Sequence, residues 1–251
     1  MSLTELSRPR CALEWGRRGA NDAAARGDVI AICDILSFST AVVTAAMCGA
    51  RVYPCADEQE ANDYASRFGA EIAVHREDVS ADRRFSLSPI TFLTASPDDI
   101  IALPSPNGAS CCRAGADAPA VLVACMLNAA AAARALTHLS TRHRASVTIV
   151  ACAERRHESA EVGSERFALE DYLGAGAVLA GLDLAFSPDA AVCRAAFLST
   201  KGDLRRNLTE CESGVELYGR GWGVDVEHAA QLDICSVVPM LIEGCLVPEL
   251  F

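Results

Sequence analysis

The sequence has no Cys-x-x-Cys pair among its twelve cysteines, so the spacing that structural zinc sites use is missing. It has no GxxxxGK[ST] loop and no GxGxxG turn, which removes P-loop nucleotide hydrolysis and a dinucleotide fold. No GxSxG elbow supports an acyl hydrolase. Asp34 follows an apolar run but has Leu36 two positions on rather than a second aspartate, so a dehalogenase-type aspartyl phosphatase is not expected. A cysteine-dependent phosphatase is not expected either. Basic residues are in the minority. Counts of 22 Lys and Arg against 33 Asp and Glu give a formal net charge of −11, which argues against a nucleic-acid partner, because that partner needs a basic face. The short basic clusters at 142–144 and 155–157 read as solvated loop faces. The longest apolar stretch, Ala118 to Leu136, is broken by Asn128 and Arg134 and reads as a strand followed by a helix, not a membrane span. The first ten residues, MSLTELSRPR, lack the apolar core of a secretory signal.

What is there suits a globular protein of the cytoplasm. Hydrophobic residues make up 51% and charged residues 22%, enough to bury a large core. Most cysteines sit inside apolar runs, where they act as small hydrophobes, and all twelve are expected as free thiols in a reducing compartment.

The hydrophobic pattern alternates short β-rich runs with alanine-rich helical ones. Strands are expected at 28–33, 51–54, 71–75, 99–103, 120–126 and 146–152, with a last one from Asp233 to Val238 closing at Pro239. Helices are expected at 39–48, 57–68, 128–139 and 169–182. Asp57 serves as the cap of one, and Gly69 as its stop. A loop with one helical turn near Pro89 interrupts the series. Continuous apolar strands separated by helices predict a layered α/β/α fold with a largely parallel sheet and a smaller helix-rich C-terminal part. The whole of 1–251 reads as one domain, with room for two subdomains dividing near 150–165.

Three segments carry chemistry. Asp34-Ile-Leu-Ser-Phe-Ser-Thr40 follows the first buried strand, placing an acid where open α/β sheets bind ligands. Ser37, Ser39 and Thr40 then open a helix whose free amides favour an anion. The same residues also suit plain helix capping, and the segment alone does not separate the two. Leu103-Pro-Ser-Pro-Asn-Gly-Ala109 is a rigid turn that presents backbone amides. Asn107 and Gly108 stand at its tip. Glu170 and Asp171 open an apolar helix, either as acids favourable to its first turn or as hard oxygen ligands for Mg²⁺. His75 is the only histidine at a strand end.

In order and spacing these segments resemble the 2-phosphosulfolactate phosphatase family, magnesium-dependent enzymes of coenzyme M biosynthesis. The likeness also takes in Glu14-Trp-Gly16, Gly49-Ala50, Phe85-Ser-Leu-Ser-Pro89, Leu127-Asn-Ala129, Ala175-Gly176, the stretches 202–208 and 221–225, and Asp233 to Pro239. The resemblance implies hydrolysis of a phosphate monoester on a small sulfonated or carboxylated hydroxy acid. It implies Asp34, Glu170 and Asp171 as metal ligands and Asp34, Glu77 and Glu170 as catalytic groups. Ser37, Ser39, Thr40, Asn107, Gly108 and Asn128 would line the substrate site. The partner is then a small phosphorylated or sulfonated acid, not nucleic acid or membrane, and the scaffold is compatible with a homodimer. The alternative is a non-catalytic phosphate- or sulfonate-binding protein on the same fold. Departures from the family pattern bear on the substrate. Ser37 stands where the family often has arginine, Glu154 stands where it has glycine, and Phe85–Pro89 is shortened.

Overall fold

The computed structural model describes residues 11–155 and 165–251. The basic cluster at 155–157 and the ten N-terminal residues therefore fall wholly or partly outside the described residues. In chain order the elements begin with β1 (Cys11–Trp15), α1 (Gly16–Arg26), β2 (Val29–Cys33), α2 (Phe38–Met47), β3 (Arg51–Cys55), α3 (Glu58–Phe68) and β4 (Glu71–Ile72). After a 3₁₀ turn at Arg76–Asp78 and another at Pro89–Thr94 come β5 (Ile100–Pro104), α4 (Gly108–Ala114), β6 (Val121–Val123), α5 (Ala129–His143) and β7 (Val147–Ala151). The ribbon β8 (Glu154–Arg155) and β9 (Glu165–Arg166) precedes α6 (Leu169–Ala180), α7 (Pro188–Thr200), α8 (Leu204–Glu210), α9 (Glu212–Gly219) and α10 (Gly223–Ala229). The hairpin β10 (Val237–Ile242) and β11 (Cys245–Leu250) ends the chain.

The fold is the expected layered α/β arrangement, with a large, mostly parallel sheet and helices on both faces. Its strand order is β1-β7-β2-β6-β10-β11-β3-β5-β4. Every residue of β2 and of β7 is buried, which accounts for their unbroken apolar runs. Helix boundaries follow local chemistry. Asp57 Oδ1 accepts the Glu60 amide at 2.9 Å at the start of α3, and Gly69 ends that helix at φ 66°.

The sheet is two parallel halves joined by the C-terminal hairpin. One half is β1-β7-β2-β6 and the other is β3-β5-β4. β10 meets β6 only at Met240–Leu122, and β11 meets β3 only at Leu246–Val52. Such sparse pairing lets the halves curl toward each other. β2 and β5 are five places apart, roughly 24 Å in a flat sheet, yet the segments after them touch. Helices α2 and α4 carry the chain between the halves in opposite directions, so the crevice above their strand ends is a topological switch point.

Two regions depart from the sequence expectation. β1 and α1 were not anticipated, because Cys11–Trp15 is a short edge strand that covers only one neighbour, β7. The terminal strand begins at Val237 rather than Asp233, runs past Pro239 to Ile242 and is paired with a second strand. Pro239 and Pro248 lie directly opposite each other, a pairing that asks neither residue for an N–H, so proline does not end the strand here.

Candidate functional site

Asp34 leaves the carboxyl end of β2 and is buried. Its Oδ1 accepts the Phe38 amide at 3.3 Å, at the start of α2, and its Oδ2 accepts the Gly108 amide at 2.8 Å, at the start of α4. One carboxylate thus ties the two halves of the sheet together. Gly108 is required for that approach. A Cβ there would stand 2.2 Å from Phe38 Cδ1 and 2.8 Å from Asp34 Oδ2.

Asp171, in the first turn of α6, is a second bracket. Its Oδ1 accepts the Ile35 amide at 2.7 Å and its Oδ2 the Ala153 amide at 3.0 Å. It fastens the loops after β2 and β7. Glu170, its neighbour, is buried beside the same loops.

Glu154 completes the group from the end of β7, with Asn107 Nδ2 donating to its Oε2 at 3.3 Å. These carboxyls feel one another. Burial, opposed by the Phe38 and Gly108 amides and reinforced by the charge of Glu170, pushes Asp34 up to about 6. Burial and the charges of Asp34 and Glu170 push Glu154 up to about 7. Burial first, then Asp34 and Glu170, hold Asp171 well above the usual carboxylate range. Buried acids that raise each other's affinity for protons are the mark of a site built to take up a proton or a cation.

Among the described residues two guanidinium groups bear on this acidic group, Arg166 opposing the rise at Glu154 and Arg76 that at Asp34. Arg76 Nη2 donates to Ser37 Oγ at 2.7 Å and to the Leu87 carbonyl at 3.2 Å, while its Nε donates to Asp225 Oδ2 at 3.1 Å. Asp225 is fully buried and also accepts from Ser88 Oγ at 2.5 Å. The positive charge of Arg76 works against the rise at Asp34.

The structure therefore brings Asp34, Ser37, Asn107, Gly108, Glu170 and Asp171 into one neighbourhood. The others stand differently. Ser39 Oγ accepts the Asp34 amide at 2.9 Å and donates to the Ile32 carbonyl, and Thr40 Oγ1 donates to the Ile35 carbonyl. Both hydroxyls are turned back onto backbone. Asn128 is wholly buried. Its Oδ1 accepts the Cys125 amide, and its Nδ2 donates to the Val123 and Val237 carbonyls, so it locks the hairpin to β6. Glu77 is exposed and paired with Arg220 at 2.8 Å; its own backbone amide, and then Arg220, hold its carboxyl below the usual range. It lies on the rim of a neighbouring cavity, apart from the carboxyl group.

Two site residues were not singled out from the sequence. Glu154 showed only as a departure from a glycine, and Arg76 had no signal beyond its place after a strand. Cys11 and Arg17 do have the Cys-x₅-Arg spacing of cysteine-dependent phosphatases. Cys11, however, lies buried within β1 with its thiol pushed up to about 12 by burial first, and Arg17 points into solvent. A thiolate nucleophile is not available there. All twelve cysteines are free, as expected. No helix among the described residues is long and apolar enough to cross a membrane.

Comparison with known proteins gives a family. A family model described as 2-phosphosulpholactate phosphatase matches residues 19–244. A protein of Pseudothermotoga lettingae named "Probable 2-phosphosulfolactate phosphatase" is 28% identical over 225 residues, which cover 88% of this chain and 92% of that one.

Proposed function

This chain belongs to the 2-phosphosulpholactate phosphatase family, a family of phosphoric monoester hydrolases, and from that premise we propose that it hydrolyses the phosphate ester of a small 2-hydroxy acid with Mg²⁺. A 2-phosphosulfolactate-like ester would yield sulfolactate and phosphate, the step that belongs to coenzyme M synthesis. The observation that carries this reading is the group of buried Asp34, Glu170 and Asp171 with half-buried Glu154, in which Asp34, Glu154 and Asp171 are each raised by burial and by neighbouring carboxylate charge.

The donor set fits a hard divalent cation, being all carboxylate oxygen. Among the described residues no three acidic, histidine or cysteine side chains are gathered around one point. Mg²⁺, however, needs only one or two carboxylates, because it keeps several of its waters. Glu170 with Asp34 or Asp171 would hold it, since each of those two acids accepts two backbone amides and still keeps a lone pair on each oxygen. The ion, when bound, supplies charge neutralisation for the phosphoryl oxygens.

Glu154 carries the proton in this proposal. With its carboxyl at about 7 it is partly protonated at neutral pH, as a general acid requires. Attack of water on phosphorus breaks the ester P–O bond, and Glu154 gives its proton to the departing alkoxide oxygen. It then recovers a proton from the attacking water. Asn107 holds its carboxyl in place. The free thiols support a reducing compartment, and we place the protein in the cytoplasm.

Phosphate release from a panel of monoesters, with Mg²⁺ and with chelator, tests the proposal. Release from 2-phospho acids that Mg²⁺ restores after chelation is the expected result. Equal release with and without Mg²⁺ would refute the metal role, and no release from any ester would refute the enzyme.

A further inference from the structure

We propose that Arg76 selects the acid substrate, by gripping a carboxylate or sulfonate that enters the cavity above the β3-β5-β4 half. The assignment rests on the phosphatase reading and adds to it the residue and the place that recognise the non-reacting end of the substrate.

Arg76 comes from the turn after β4, and its side chain is only 15% exposed. Three contacts fix it from one side: Asp225 on Nε, and Ser37 Oγ and the Leu87 carbonyl on Nη2. Asp225 is itself pinned by Ser88, so the guanidinium cannot swing. Among the described residues Nη1 has no hydrogen-bond acceptor, and Arg76 lines a cavity of about 940 Å³. Ser37 accepts from Arg76, which leaves its own O–H to donate to the same ligand. Ser105, at the end of β5, adds a second hydroxyl on the cavity wall. The wall also carries acids, of which Glu77 is matched by Arg220 at 2.8 Å and Glu58 lies 3.8 Å from His75.

A fixed guanidinium whose Nη1 alone keeps its N–H groups open suits one oxygen of a planar or tetrahedral oxyanion, as a charge-assisted donor. The phosphoryl group is assigned to the acids around Asp34 and Glu154 instead, none of which lines this cavity. In a 2-phospho acid the phosphorus lies three bonds from the carboxylate carbon, and a sulfonate on the next carbon lies four bonds away, so the two charged ends can bridge these regions. The arginine missing at position 37 is thus replaced from another part of the chain, and its charge reaches the same loop through the Ser37 hydroxyl.

The test compares wild type, Arg76→Met and Arg76→Lys in two ways. The first is the ratio of kcat/KM for a 2-phospho acid to that for phenyl phosphate, which has no acid tail, at saturating Mg²⁺. The second is calorimetric binding of sulfolactate, which needs no turnover. In Arg76→Met the ratio should fall about 10- to 100-fold, chiefly through KM on the acid ester, and sulfolactate binding should weaken about as much. Lysine should restore part of both, since it keeps the charge but not the planar donor fixed by Asp225, Ser37 and Leu87. Met leaves Asp225 buried without its partner, so Arg76→Met with Asp225→Asn provides a second, folded comparison with the same expected loss. An unchanged ratio, or equal loss on both esters, would overturn the assignment. A wild type that hydrolyses no ester but binds sulfolactate through Arg76 would sink the phosphatase reading and leave the assignment standing. A wild type that hydrolyses esters without regard to an acid tail would do the reverse.

Discussion

Replacing Asp34 by asparagine should cost stability at low pH and little at high pH, while turnover falls at both. Asparagine caps a helix about as well as aspartate, and by that rule alone the fold should not notice. Asp34 is more than a cap, however, because its two oxygens accept one amide from α2 and one from α4. Asparagine offers one oxygen, and its NH₂ would face an N–H. A buried donor left unmet costs about 1–3 kcal/mol. Against this stands the penalty of keeping Asp34 ionised in the fold. Its folded carboxyl titrates near 6 against a usual 3.8, and the gap of about two units is worth about 3 kcal/mol. An acid raised on folding is penalised above its folded pKa. The penalty is absent below the unfolded value near 4, grows between the two, and is complete above 6. Asparagine escapes it. The loss from Asp34→Asn should therefore be about 1–3 kcal/mol at pH 4, and at pH 8 it should vanish or turn into a gain of up to about 2 kcal/mol. Urea denaturation of both proteins, metal-free, at the two pH values gives the difference. Turnover at saturating Mg²⁺ should fall by roughly two orders of magnitude or more, the range of general-base and electrostatic contributions. A stability loss independent of pH would refute the perturbed carboxylate, and near-normal turnover in the folded variant would reduce Asp34 to a structural tie.

Glu154→Gln should lower kcat about 10²- to 10⁴-fold and abolish the fall in rate expected of wild type as pH rises through about 7, as a full pH–rate profile of both would show. Gly108→Ala should destabilise by about 1–3 kcal/mol, because the new methyl meets Phe38 and Asp34. It should also lower turnover, and a thermal midpoint equal to wild type would contradict the packing described. Thiol titration should count twelve in denaturant without reductant, whereas in the native state the buried thiols should react slowly. A deficit of two restored by reductant would reveal a disulfide.

Much of the architecture was legible because its cause is local. Continuous apolar runs such as Val29–Cys33 announce strands buried on both faces, and the alanine-rich segment after Asn128 announces a helix. The cap at Asp57 and the stop at Gly69 were read correctly from single residues. The misses also have causes. β1 is an edge strand with little pattern, and proline normally ends a strand unless it faces a position that needs no N–H, as Pro239 does across from Pro248.

For the site, the sequence by itself determined which acids end their elements in the crevice. Asp34 follows a buried strand, Glu170 and Asp171 open a helix, and Asn107-Gly108 closes a turn, all from local order along the chain. Only the tertiary structure decided what each does. The curl between two weakly joined half-sheets brings Gly108 to Asp34, turns Asp171 into a bracket, and spends Ser39, Thr40 and Asn128 on backbone. It also makes Glu154 and Arg76 members of the site, although nothing in their neighbours marks them. A hydrogen bond depends on position in space to within a few tenths of an ångström, and a raised carboxyl depends on which other charges share its burial. Neither quantity exists until the chain has closed on itself.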